Sequence, residues 1–167
     1  MPECSPGAFP RARRLRKPEQ FAAAAGERAT WRANRQLLAA SASVQAPIRS
    51  DRPAVEQESR DSVNRSPSTD RKPEAEPVRF GFTVGRRQAR RAVQRTLVKR
   101  VLREAARNAA GTLRRLAVDR TVDVVLRLRT PLPEARQMSQ AQLKRSLRTE
   151  ADSLIDQLAR HLRSGNP

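Results

Sequence analysis

The chain has 167 residues, enough for one domain, and carries 35 Lys or Arg against 17 Asp or Glu, a formal net charge of +18. Such an excess bears on partners, nucleic acid first and an anionic membrane surface second, and not on fold. No apolar run approaches the roughly 20 residues that span a bilayer, no apolar stretch near the start has the form of a secretory signal, and Cys4 as the only cysteine excludes an internal disulfide.

Pro2, Pro6, Gly7 and Pro10 predict a flexible basic tail over residues 1–12. Pro18 suits the first turn of a short helix and Gly26 its end, with Phe21 and the run Ala22 to Ala25 between them. A strand is expected near Leu37–Ala42. Ser43 to Pro77 differs in kind: it holds five prolines and no aromatic residue, and its six basic and seven acidic residues leave a net charge of −1. It buries too little apolar surface to offset chain entropy, so it reads as a disordered insertion within a single domain over 13–163. The rest of the chain then carries +18 − (−1) = +19.

Val78, Phe80, Phe82 and Val84 recur at every second residue, the period of a strand with one buried face, and Gly85 ends the run. From Ala92 the period changes. Ala92, Val93, Leu97, Val98, Val101, Leu102, Ala105 and Ala106 make a helical apolar stripe. Arg91, Arg95, Lys99 and Arg103 recur every four residues along another face. Like charges at that spacing repel by roughly 0.2–0.5 kcal/mol per pair. From Arg86 to Arg103 every charge is positive, whereas an ordinary solvated face mixes both signs. A polyanion offsets the repulsion, because each neutralised phosphate releases condensed counterions.

Gly111 suggests a break after the basic helix. Val122, Val124, Leu126 and Leu128 alternate as in a strand that Pro131 and Pro133 end. Ser139 with Gln142 forms a capping-box pattern. Leu143, Leu147, Ala151, Leu154, Leu158 and Leu162 then trace the apolar face of a final helix, followed by a tail over 164–167. His161 reads as an exposed helix-end histidine, and Trp31 and Met138 as packing or surface residues.

The usual catalytic constellations are missing. His161 is the only histidine, so a Ser–His–Asp or Cys–His arrangement has no second candidate, and zinc lacks ligands. No catalytic residue and no metal ligand is expected in this chain. Three binding classes remain: a structural RNA-binding protein of ribosomal type, a DNA-binding protein with the basic helix in the major groove, and an amphipathic membrane-surface helix. The DNA reading has only Gln88 and Gln94 to read bases. The membrane reading wants Trp or Phe on the apolar face, and Ala92–Ala106 has neither.

The order of the pieces resembles the protein subunit of bacterial ribonuclease P. The run from Ala92 to Glu104 is similar to that family's basic helix, which opens A-V-x-R-N-R and continues through K-R to R-E/Q, with Thr96 and Leu97 where the family has Asn and a second Arg. Leu15 to Phe21 resembles its first-helix opening, Asn34-Arg35 a pair before its first strand, and Val122 to Arg129 the strand after the basic helix. Ala25 and Ala40 stand where family aromatics are common.

The resemblance implies an α/β (α+β) two-layer sandwich: a small mixed sheet with helices, like the second domain of ribosomal protein S5. The basic helix would cross between parallel strands with a left hand. It further implies an accessory subunit of a ribozyme that removes the 5′ leader from precursor tRNA, with Mg²⁺ held mainly by the RNA. One protein per RNA, a cytoplasmic location and no membrane partner follow from the same resemblance. Arg86, Arg87, Arg90, Arg91, Arg95, Lys99, Arg100 and Arg103 would contact the catalytic RNA. Arg16, Lys17, Phe21, Arg79 and Thr83 would hold the leader, with Phe21 equally readable as core.

Overall fold

The period-two segments of the chain become neighbours in one sheet. The computed structural model describes residues 9–26, 29–45, 76–134 and 136–165. In chain order these form α1 (Pro18–Ala25), β1 (Trp31–Asn34), β2 (Leu38–Gln45), β3 (Val78–Thr83), α2 (Ala92–Leu116), β4 (Thr121–Leu128) and α3 (Gln140–Arg163). The sheet order is β1-β2-β4-β3. β2 runs antiparallel to β1 and to β4, whereas β3 and β4 are parallel, so α2 is the crossover between parallel neighbours. β1 was not anticipated: its four residues alternate half-buried and exposed, too short a run to register as a period. Asn34 therefore closes β1, and Arg35 begins the hairpin into β2.

One face of the sheet makes the main core. Leu38, Ala40 and Ala42 of β2, Val78 and Phe80 of β3, and Val122, Val124, Leu126 and Leu128 of β4 pack against α2 and α3. Each fully buried Leu or Val contributes on the order of 1.5–3 kcal/mol by leaving water. All six apolar positions read for the last helix are buried. Its capping box forms: Gln142 N donates to Ser139 Oγ at 3.3 Å, and Ser139 N donates to Gln142 Oε1 at 2.9 Å. α3 also fastens the β1–β2 hairpin, because Glu150 accepts from the backbone N–H of Leu37 and Leu38 at 2.9 and 3.0 Å.

Several expectations change. α2 does not break at Gly111 but runs to Leu116. A glycine there costs about 1 kcal/mol, less than the helix gains by burying Leu113 in the next turn. The apolar stripe starts later than expected: Ala92 and Val93 are exposed, and burial begins at Val98. Phe9, assigned to the tail, is buried edge-on against Phe80 and Phe82, with ring centroids 5.8 and 5.9 Å away. Residues 1–8 lie outside the described residues.

The insertion is shorter at both ends than its composition indicated. Ser43, Val44 and Gln45 continue β2, paired with Asp123, Val122 and Thr121. Glu76 binds Arg13 at 3.1 Å, and Pro77 accepts from Val122 N at 2.7 Å. Residues 46–75 lie outside the described residues. Ser164, assigned to the terminal tail, closes α3 by donating its N–H to Arg160 O at 3.1 Å. His161 is half-buried, its ring 6.4 Å from that of Trp31, which packs on the core with Met138. Among the described residues, no helix is long and apolar enough to cross a membrane.

Candidate nucleic-acid interface

The first basic surface is built by the β3–α2 turn and the opening of α2. Ala89 is buried under the turn, and its N–H donates to Gly85 O at 3.1 Å. A side chain at Gly85 would strike Gln88, whose Oε1 lies 2.2 Å from the position of an added Cβ. Gln88 O in turn accepts from Leu132 N at 2.9 Å, tying the turn to the segment after β4. Between them runs a groove of about 550 Å³ lined by Arg87, Arg90, Arg91 and Gln94 on one side and by Pro131, Pro133, Glu134 and Arg136 on the other. Arg136 and this groove were missed from the sequence, because only the fold brings the β4–α3 segment beside the turn.

Arg86, Arg87, Arg90, Arg91 and Arg100 are exposed, and Lys99 and Arg103 are half-buried. Arg95 differs. Its Nη1 donates to Ala89 O at 3.0 Å and to Arg90 O at 2.7 Å, so its guanidinium braces the turn that carries Arg90 and Arg91. A four-residue step on a helix advances about 40° beyond a full turn. The series Arg91, Arg95, Lys99, Arg103 therefore spirals and does not share one line, and of the four it is Arg95 that bonds back to the turn. Glu104, the first acid after the run, pairs with Arg148 of α3 at 3.3 Å.

The second surface lies on the other face of the sheet. Alternation puts Arg79, Gly81 and Thr83 there, opposite the core-facing Val78, Phe80 and Phe82. α1 covers part of this face: Leu15, Ala24 and Val125 form a small cluster, with half-buried Phe21 against it. Phe21 sits directly on Gly81. A Cβ there would lie 2.4 Å from Phe21 Cε1 and 3.1 Å from Leu15, so only glycine lets the ring settle on the strand. Arg16 and Lys17 are exposed at the start of α1, where their N–H groups donate to Gln20 Oε1 at 2.9 and 3.1 Å. Thus Arg16, Lys17, Phe21, Arg79 and Thr83 come together on or beside one sheet face. Ala40 does not join them, because it points into the helix-side core.

Between residues 11–20 and β3 lies a groove of about 600 Å³ lined by Arg11, Ala12, Arg14, Arg16, Lys17, Gln20 and Arg79. Arg11, Arg14 and Gln20 were not singled out from the sequence. Segment 14–15 runs along β3, with Leu15 N donating to Phe80 O at 2.9 Å, and this places them. Asp123 was also missed as a partner. It is 3% exposed, and its carboxylate receives Arg79 Nε and Nη2, each at 2.7 Å. Among the described residues no group of three or more His, Cys, Asp or Glu could hold a metal ion.

Comparison with known proteins agrees with the ordering of these pieces. The family model described as Ribonuclease P matches residues 9–154, from the buried Phe9 to α3. Two relatives named Ribonuclease P protein component, from Bordetella parapertussis and Bordetella bronchiseptica, are each 39% identical over 98 residues, covering 59% of this chain and 72% of theirs. No solved structure matches. The match spans the strand, the basic turn and the long helix described above, and the chain belongs to the ribonuclease P protein family.

Proposed function

We propose that this chain is the RNA-binding protein subunit of ribonuclease P, an RNA–protein endoribonuclease, and that it assists the catalytic RNA in removing the 5′ leader from precursor tRNA. Family membership carries the assignment. The observation that supports the division of labour is the presence of two separate basic surfaces on one small fold. The turn and α2 surface, with Arg86, Arg87, Arg90, Arg91, Lys99, Arg100 and Arg103, screens the catalytic RNA. Its contacts go to phosphates, which position RNA without reading sequence. The sheet-face groove, with Arg16, Lys17, Phe21, Arg79 and Thr83, holds the single-stranded leader. Phe21 is half-buried, which leaves part of an aromatic ring for a single-stranded base to stack on.

The chemistry resides in the RNA. Mg²⁺ held by the RNA would activate the attacking water and neutralise charge at the phosphate, while four of this chain's acids are engaged with arginines or backbone. Glu76 binds Arg13, Asp123 binds Arg79, Glu104 binds Arg148 and Glu150 caps the hairpin. One protein serves one RNA, in the cytoplasm where precursor tRNA is processed. The same reading gives the β3–α2–β4 crossover the left hand of the family and a likeness to the second domain of ribosomal protein S5.

Reconstitution tests the assignment. Purified protein and the ribonuclease P RNA of the same source are mixed at low Mg²⁺, and 5′ cleavage of a precursor tRNA is followed. Protein-dependent cleavage that is absent with protein alone is the expected result. Tight, salt-sensitive RNA binding without stimulation would leave a basic RNA-binding protein with no part in cleavage.

A further inference from the structure

We infer that Asp123 is a positioning residue for leader recognition, which pins the Arg79 guanidinium as a fixed hydrogen-bond donor facing the groove beside α1. The inference rests on the reading of that groove as the leader site. Arg79 on β3 and Asp123 on β4 are direct partners in the parallel register, so the backbone sets their approach. Asp123 is 3% exposed, and it takes Nε and Nη2 together, each at 2.7 Å. This fork-on-carboxylate geometry fixes the guanidinium plane as well as its place.

Nη1 is left over. Among the described residues none accepts from it, and Arg79 lines the groove with Arg11, Arg14, Arg16, Lys17 and Gln20. An arginine already held in plane has little freedom left to lose when it meets a ligand. The ligand chemistry that matches Nη1 in a cationic groove is a phosphate oxygen of single-stranded RNA.

The pair has a further consequence. Arg79 and Asp123 together are neutral, so a contact through Nη1 adds geometry and a hydrogen bond while releasing few counterions. Arg16 and Lys17 are exposed and carry net charge to the same groove. Their contacts should follow the polyelectrolyte rule for single strands, about 0.7 in the log–log salt slope for each phosphate neutralised. The two kinds of contact are therefore separable by salt.

The test uses the reconstituted holoenzyme, with Ca²⁺ in place of Mg²⁺ to slow cleavage. The dissociation constants for precursor and mature tRNA are measured as a function of salt. Arg79→Met with Asp123→Asn removes both charges at once, which leaves no buried ion unpaired and preserves the fold. The expected result is a melting profile like that of the parent, a roughly tenfold fall in the preference for precursor, the size of one charge-assisted hydrogen bond, and an unchanged salt slope. A folded double variant that keeps the full preference would reduce the pair to a structural ion pair and overturn the inference. If the double variant does not fold, Arg79→Lys decides. It keeps a cation opposite Asp123 but cannot form the two-point clasp, so the preference should fall by a similar factor, and an undiminished preference would overturn the inference. A parent holoenzyme with no preference for precursor would instead remove the leader site itself, and the inference with it.

Discussion

The two basic surfaces hold their charges in opposite ways. At the turn and the start of α2, Arg86, Arg87, Arg90, Arg91 and Arg100 are exposed. In the sheet-face groove Arg79 is clasped by a buried carboxylate, and Phe21 is seated on Gly81. The first surface is a field of exposed charge, suited to binding that tolerates imprecision. The second is a rigid seat in which a few groups have fixed places. A count of arginines cannot separate the two, because availability depends on what each guanidinium already touches.

Deleting one arginine from each place is the most direct way to break this contrast. Arg79→Ala orphans the buried Asp123 and should cost about 3 kcal/mol, the lower end for breaking a buried pair, because Arg79 itself is partly exposed. Chemical denaturation measures it, and a change near zero would mean that Asp123 has another partner. Gly81→Ala should come next, at roughly 1–3 kcal/mol, as the new methyl displaces the Phe21 ring and Leu15. Adding Phe21→Ala should recover part of that loss, so the two changes should fail to add. Additive losses in denaturation would separate Phe21 from Gly81.

Arg95→Ala sharpens the comparison from the other side. Although it lies in the basic run, it should cost about 1 kcal/mol in stability through the lost hydrogen bonds to Ala89 O and Arg90 O. Its effect on catalytic-RNA affinity would then pass through the turn. Thermal melting beside an RNA titration distinguishes this from a purely electrostatic role, which would leave melting unchanged. Arg100→Ala should have the smallest effect on the fold, within about 0.5 kcal/mol, yet weaken catalytic-RNA binding and reduce the salt slope by close to 1 if it neutralises a phosphate in a duplex region. An unchanged slope would remove Arg100 from the RNA contact.

Much of the fold was legible because periodicity is a local consequence of burial. β3, β4, the capping box at Ser139 and the apolar face of α3 all follow from residue spacing. β1 was not, because four residues are too few to define a period. Gly111 misled for a related reason: a local penalty near 1 kcal/mol was outweighed by packing two residues further on. Arg16, Lys17, Phe21, Arg79 and Thr83 were named together only through the family resemblance, and Asp123 was not named beside them. Its pairing with Arg79 spans 44 residues of chain and depends on parallel register.

The sequence by itself determined the basic character of the chain, the identity and spacing of its strand–turn–helix segment, and the helical face that α3 buries, since each rests on neighbours within a few turns. Only the tertiary structure decided which cations remain free. Parallel pairing of β3 with β4 brings Asp123 to Arg79, the close of the β3–α2 turn commits Arg95 to the backbone, and the absence of a side chain at Gly81 admits Phe21. Charge is a property of composition, but its availability is set by contacts between residues distant in the chain, which the fold alone brings within hydrogen-bonding reach.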